Sequence, residues 1–573
     1  MYAMTGAEII VRLIERQGVS VVAGIPGGAN LPLYDALASS SIRHVLARHE
    51  QGAAFMAQGI ARVSGGAAAG AKRVGVCFAT SGPGATNLLT GIADAKLDSV
   101  PIVCVTAQVP RAMIGTEAFQ ETDICAMAAP ATKKTYAVRS AAELLDAVPE
   151  AFSIALSGRP GPVLIDVPKD VQRERATFAA WPPPGRARAR PPVDEAMVAR
   201  AADLINAAER PVFVLGGGAR RSGGAWRARR VAESAGIPMA MTLMGLGSVR
   251  HDHPLSLGML GMHGTRAANL ATRKSDLVIV LGARLGDRTT GRVAGFCPQA
   301  KVVHVNIDAT EFGKVVRPDV AIAADVADVM ERLEPRIAPA RRKHWRTQVA
   351  RLNRPPRAGS HDVALPAEAI RRAAAHAGED AVVVTDVGQH QMWAAQHYPH
   401  APSGAWLTSG GLGTMGFGLP AAIGAALAQP RRRVVCFSGD GSLMMNLQEL
   451  ATAAEERANV TIVLFDNAGL GLVRQQQELF YGGRTPATDF RAHVDFPRLA
   501  EAMGVRAFDA DAKGVLDEAL RTGITHDGPA LVRVRVASEH RAFPMVPPGA
   551  ANAEMLSQSQ RDAPSLAASR HAR

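Results

Sequence analysis

Aromatic residues are scarce in this 573-residue chain, at 5 %. Cysteines number five, at 77, 104, 125, 297 and 436. None forms a Cys-x-x-Cys pair, and an odd, scattered set fits reduced, buried thiols in a cytoplasmic protein. No run of about 18 apolar residues is present, so no membrane span is expected. Met1 to Thr5 lack a basic region followed by an apolar one, so no secretory signal is expected either. Acidic charge is the minority, leaving a formal net charge of +12. The excess lies in Arg-rich patches at 186–190, 341–343, 431–433 and the tail. These patches are not interleaved with aromatics, which argues for a solvated surface and against nucleic-acid binding. Apolar residues are plentiful, at 47 %, enough to build large buried cores.

Two seams divide the chain. One is the Pro/Arg stretch from Trp181 to Pro192, and the other a polar stretch over about 338–360. They give blocks of 1–185, 190–340 and 360–550, which fits three domains. Residues 556–573 are small, polar and basic, and are expected to be disordered. Each block alternates strand-like apolar runs with helical patterns. This predicts an α/β chain of three doubly wound parallel-sheet domains. Thr5 and Glu8 form a capping box for a helix over 7–17. Strands are expected at 19–23, 212–215, 277–281 and 302–307. The first and third blocks are alike in size and style, but no homology between them is evident.

The most informative stretch is Ser438-Gly439-Asp440-Gly441-Ser442, followed by Asn467. Val434 to Phe437 reads as a buried strand, 443–456 as a helix and 460–465 as the next strand. A right-handed crossover would set the two strand ends side by side. Asp440 and Asn467 would then meet beyond the carboxyl ends of the sheet, where such sheets bind ligands. Two hard oxygen ligands suit Mg2+, which also holds phosphate oxygens. Gly441 and Ser442 open a helix whose free N–H groups favour an anion. This spacing resembles the signature of thiamine-diphosphate (ThDP) enzymes.

Glu50, in His49-Glu50-Gln51-Gly52-Ala53, has no charge partner beside it. By itself it is an acid favoured at a helix start. ThDP chemistry gives it a sharper role, as the acid–base partner of the cofactor's aminopyrimidine. Here the resemblance becomes close. Residues 25–29, 48–53, 81–87, 115–121, 257–265 and 386–393 resemble, in order, the acetohydroxyacid (acetolactate) synthase large catalytic subunit. The match runs from about residue 5 to 555. The resemblance implies ThDP contacts at Pro26, Gly27, Gly28, Ala29, Gln389, His390, Gly413, Met415, Gly439, Gly441 and Ser442. It also implies a Mg2+ ligand from the Gly469 carbonyl, beside Asp440 and Asn467. Gln120 would line the reacting centre, and Arg288 would grip an acceptor carboxylate with its bidentate fork. Gln476 stands where most members carry Trp. That change and residues 543–552 resemble the bacterial isozyme I subunit, and imply weaker preference for 2-oxobutyrate over pyruvate.

In the middle block, Gly216-Gly217-Gly218 is either a nucleotide loop or an empty turn on its residues alone. The resemblance implies non-redox FAD held by Gly216, Gly217, Gly218, Thr242, Leu243, Met244, Met262, His263, Gly282, Arg284, Asp308 and Asp325. Gly286 and Asn306 replace expected acids near that flavin. Gly411 to Gly416 match GxGxxG, but follow a poor strand and lack a ribose-binding acid, so no dinucleotide is expected there. The family further implies a homodimer or tetramer, in which Glu50 of one chain meets Asp440 of another, and a small regulatory subunit. The competing readings are a simple 2-oxoacid decarboxylase, a pyruvate-oxidase-like flavoenzyme and a non-catalytic paralogue.

Overall fold

The computed structural model describes residues 1–63, 74–353, 365–511 and 514–557. The three doubly wound parallel sheets are present, each with six strands. The first contains Val21–Gly24, Arg43–Leu46, Gly75–Ala79, Ile102–Gln108, Lys134–Ala137 and Val163–Pro168. The middle one contains Pro211–Leu215, Met239–Met241, Ser256–Met259, Leu277–Leu281, Lys301–Asn306 and Val320–Ala323. The third contains Val382–Thr385, Ala405–Leu407, Val434–Gly439, Val460–Asp466, Arg506–Asp509 and Ala530–Arg535. Most central strands are buried along their whole length, so they read as continuous apolar runs.

Counted within each sheet, the first and third share the strand order 2-1-3-4-6-5, whereas the middle sheet is ordered 3-2-1-4-5-6. The likeness of the outer blocks, only a matter of size in the sequence, is thus one of topology. Each order has a switch point beside its first strand, where neighbouring strands wind in opposite directions, and ligands bind at such points. In the outer sheets it lies between strands 1 and 3, and in the middle sheet between strands 1 and 4.

The outer units are joined by two small-residue helices, Glu50–Val63 and Gly418–Ala428. They cross so closely that a Cβ at Gly59 would lie 2.1 Å from the Ala421 carbonyl oxygen, and one at Gly424 2.0 Å from that of Met56. The capping box of Gly6–Arg16 forms as expected, with Thr5 and Glu8 bonding reciprocally.

Two local expectations fail. The helix expected over 443–456 is broken into Asp440–Leu443 and Glu449–Glu455. Within the break the Asn446 amide donates to the Gly416 carbonyl (2.8 Å) and to Gln51 (3.1 Å), so tertiary bonds override local propensity. The second seam is not all linker, because Lys343–Leu352 is a helix. Its Trp345 and Val349 are buried against the middle sheet, and the indole N–H donates to the Pro211 carbonyl at 3.0 Å. Two apolar residues four apart suffice there, despite polar surroundings. The tail expectation falls almost wholly on 558–573, which lie outside the described residues; Leu556, just before them, is bridged to Met545. Among the described residues no helix is long and apolar enough to cross a membrane.

Candidate cofactor site and active site

At the switch point of the third sheet, the ends of Val382–Thr385 and Val434–Gly439 open a pocket. Asp440, Asn467, Gly469, Gln389, His390, Met415, Gly439, Gly441 and Ser442 line it together. The expected convergence of Asp440 and Asn467 is therefore observed. Asp440 is 2 % exposed. Its carboxylate accepts from the N–H groups of Gly441 (2.8 Å) and Gly469 (3.0 Å). Burial nevertheless pushes its pKa up to about 7, with Asp466 adding to the shift. A cation there would relieve that burden.

The donor set fits a hard cation. The Asn467 amide donates to Gln389 at 3.1 Å, while its buried carbonyl oxygen has no partner. His390 Nε2 is likewise buried without a partner, and burial lowers the ring's pKa to about 3, so it is neutral. Glycines keep the pocket open: a Cβ at Gly439 would lie 2.7 Å from His390 Nδ1, and one at Gly441 2.7 Å from a Leu470 methyl. The helix opened by Gly441 is a single turn of four residues. Backbone N–H groups, more than a helix dipole, are what it offers an anion.

The first sheet builds a separate half-site at its own switch point. Glu50 opens its helix and is 8 % exposed. Its carboxylate accepts from the Asn87 amide at 2.9 Å. A Cβ at Gly84 would crowd Glu50 at 3.2 Å, and one at Gly82 would meet Gln120 at 2.9 Å. Gly27 packs on Thr80, and the Ala29 N–H donates to the Thr80 hydroxyl at 3.3 Å. Gly27, Ala29, Glu50 and Gln120 thus gather around Thr80 to Asn87, beside Pro26 and Gly28, which are exposed. Neither Glu50 nor Gln120 lines the Asp440 pocket. Sequence reasoning missed Asn87, and also Glu449. The buried Glu449 carboxylate accepts from the N–H groups of Arg48 and His49, both at 3.0 Å, and so fixes the start of the Glu50 helix from the third unit.

The middle sheet's switch point opens a cavity of about 1060 Å³. Its wall holds Gly217, Gly218, Thr242, Leu243, Met244, Met262, His263, Gly282, Arg284, Gly413 and Asp325. Gly216 stands behind it, where a Cβ would strike the Gly282 carbonyl. Asp308 is outside the wall; it caps residues 309–311 and pairs with Arg159 at 3.3 Å. Eight arginines and four acidic residues line the cavity, so it favours an anionic ligand. Arg159 and Arg221, which the sequence did not single out, are among them. Asn306 is held at both ends of its amide, donating to the Ala283 carbonyl (3.1 Å) and accepting from the Asp308 N–H (3.0 Å). An aspartate could not make the first of these bonds.

Arg288 and Gln476 line this same cavity. The Arg288 side chain is 72 % exposed and pairs with its neighbour Asp287 at 2.8 Å. Val387 and Leu472 line both this cavity and the Asp440 pocket, so the two adjoin. The Gly411 to Gly416 segment lies between them. It follows a three-residue strand, and the next helix begins only at Gly418, so it lacks the context of a dinucleotide loop. Residues 542–556 strap over the middle unit. The Val546 N–H donates to the Met262 carbonyl (2.8 Å), the Asn552 amide to the Thr289 carbonyl (2.8 Å) and the Gln475 amide to the Ala542 carbonyl (3.1 Å).

Comparison with known proteins agrees with this layout. Residues 4–127 match the thiamine pyrophosphate enzyme N-terminal TPP-binding domain, 198–333 the central domain and 386–534 the C-terminal TPP-binding domain. The acetolactate synthase isozyme 1 large subunit of Escherichia coli K12 is 51 % identical over 97 % of this chain and 98 % of its own length. The isozyme 2 large subunit of the same organism is 44 % identical over 96 % and 99 %. An acetolactate synthase of Arthrospira platensis is 42 % identical over 97 % and 98 %. With three thiamine pyrophosphate domains in order and full-length relatives at these identities, the chain belongs to the acetolactate synthase large-subunit family of thiamine-pyrophosphate-dependent enzymes.

Proposed function

We propose that this enzyme is an acetolactate synthase. It decarboxylates pyruvate and transfers the two-carbon unit to a second 2-oxoacid, pyruvate or 2-oxobutyrate. The products are 2-acetolactate and 2-aceto-2-hydroxybutyrate, precursors of valine, leucine and isoleucine. The observation that carries this reading is the adjacency of the Asp440 pocket to a cavity lined by Arg288 and Gln476. ThDP, when bound, supplies an electron sink for the decarboxylation. Asp440, Asn467 and the Gly469 carbonyl hold Mg2+. Gln389, His390, Gly439, Gly441 and Ser442 surround the diphosphate, and Gly413 and Met415 brace the thiamine.

Glu50 serves as the acid–base partner of the aminopyrimidine, and Asn87 orients it. Glu50 and Asp440 open at different switch points, which favours a site completed by a second copy, in a homodimer or tetramer. Arg288 binds the acceptor carboxylate at the cavity rim, and Gln476 sets the acceptor's space. The large cationic cavity suits FAD in a non-redox role. The domains correspond to 1–185, 190–340 and 360–550. The relatives' name, large subunit, supports a small regulatory partner. A cytoplasmic location follows from the branched-chain amino acid role.

The test is product analysis with ThDP, Mg2+ and FAD supplied, first on pyruvate alone and then with 2-oxobutyrate added. Acetolactate with only mild preference for 2-oxobutyrate is expected. Acetaldehyde or acetate as the main product would overturn the carboligase reading.

A further inference from the structure

A buried ionic cluster, with Arg62 and Asp98 in the wall of the large cavity and Asp94 behind them, ties the first unit to the loop that separates the two cavities. Arg62 lies near the end of the Glu50 helix, and Asp94 and Asp98 on and just after helix Leu89–Leu97. The Arg62 side chain is 7 % exposed and both carboxylates are 0 % exposed. The guanidinium pairs with Asp98 at 2.9 Å and Asp94 at 3.3 Å, and donates to the Thr408 carbonyl at 2.9 Å. Asp98 accepts from the N–H groups of Gly410 (3.0 Å) and Gly411 (2.8 Å). Asp94 accepts from the hydroxyls of Ser409 and Thr414, the latter at 3.0 Å.

These bonds grip a segment that holds itself poorly. Residues 408–416 carry four glycines and no regular structure. Ser409 to Gly413 form wall of the large cavity, and Met415 forms wall of the Asp440 pocket. Two buried carboxylates share one guanidinium, and the unpaired charge is absorbed by donors on the loop. Burial, with Asp98 adding to it, pushes the Asp94 pKa up.

We infer that Arg62, Asp94 and Asp98 are positioning residues that hold the 408–414 loop in part, and that occupancy of the large cavity completes its ordering and so strengthens binding in the Asp440 pocket. The inference rests on the reading of these cavities as FAD and ThDP sites. Its mechanism is mechanical. One segment is wall to both ligands, and ordering it for the first removes part of the ordering cost of the second.

The test measures the ThDP dissociation constant of the full-length protein by calorimetry at saturating Mg2+, with and without saturating FAD. In the unmodified protein FAD should tighten ThDP binding by a factor within roughly 5- to 150-fold. Ser409→Ala, which removes the donor to Asp94 and the acceptor of the Thr414 N–H but leaves the ion pairs intact, should weaken ThDP binding without FAD and enlarge the FAD effect, because FAD then orders a looser wall. Asp98→Ala should do the same where it folds. Asp94→Asn should retain both values, because Ser and Thr hydroxyls can accept from the amide as well as donate. A merely electrostatic role would instead make Asp94→Asn as damaging as Ser409→Ala, which would overturn the inference. So would an FAD effect no larger in Ser409→Ala than in the unmodified protein. Asp440→Ala separates the underlying reading: unchanged ThDP affinity there refutes the assignment of the pocket itself, whatever the cluster does.

Discussion

The crossing of Glu50–Val63 with Gly418–Ala428 gives the sharpest stability prediction. A Cβ at residue 59 would stand 2.1 Å from the Ala421 carbonyl oxygen. Carbon–oxygen contacts settle near 3.3 Å, so Gly59→Ala must part the helices by roughly 1.2 Å. The obstacle is backbone and cannot rotate away. Overpacking of this kind costs about 1–3 kcal/mol, and a backbone clash belongs at the upper end. Alanine returns up to about 1 kcal/mol of helix propensity. The net expectation is a loss of about 2 kcal/mol, for Gly59→Ala and equally for Gly424→Ala. Both clashes are relieved by the same separation, so the double variant should cost little more than either single one. Thermal unfolding of the three variants measures this directly. Alanine variants as stable as the parent, or strictly additive losses, would refute the interlock. Activity should suffer as well, because Glu50 opens the same helix and a 1 Å misplacement costs on the order of 10²-fold.

Asp440→Ala should abolish the metal dependence of ThDP binding, seen in titrations with and without Mg2+. Gln476→Trp should shift acceptor choice toward 2-oxobutyrate by roughly 10- to 200-fold, read from competition between the two acceptors; an unchanged ratio removes Gln476 from the acceptor site. Burial raises the Asp166 pKa from 3.8 to about 6. The folded protein therefore holds this proton more tightly than the unfolded chain. Its contribution falls by about 3 kcal/mol as pH rises from about 4 to about 6 and is constant above that. Asp166→Asn should make the fall in melting temperature across that window shallower by this one group's share, because Asp94, Asp386 and Asp440 are also raised.

The sequence conveyed most of the third unit's site, because strand, turn and crossover set the spacing of Asp440 and Asn467. Local signals also sufficed for the Thr5–Glu8 cap and the Leu277–Leu281 strand. What it hid depends on contacts distant in sequence. Asn87 meets Glu50 across 37 positions, and Glu449 caps the Glu50 helix across about 400. Trp345 sat in polar company, yet completes the middle core. The break at Asn446 arises from bonds to Gly416 and Gln51, which no helical periodicity records. Nor could composition tell that Asp308 faces Arg159 and not the cavity.

The strap has a consequence for synthesis. Domains generally fold in order as the chain emerges, and the middle sheet is complete once Ala323 has been made. The Met262 carbonyl and the turn around Thr289 nevertheless wait for Val546 and Asn552, more than two hundred residues later. During translation the cavity beside them exists first as an open cleft, because Trp406, Ser409 to Gly413 and Gln476 of its wall are also made later. Its closure is deferred until the third sheet has been laid down, so firm capture of a ligand there belongs to the finished chain.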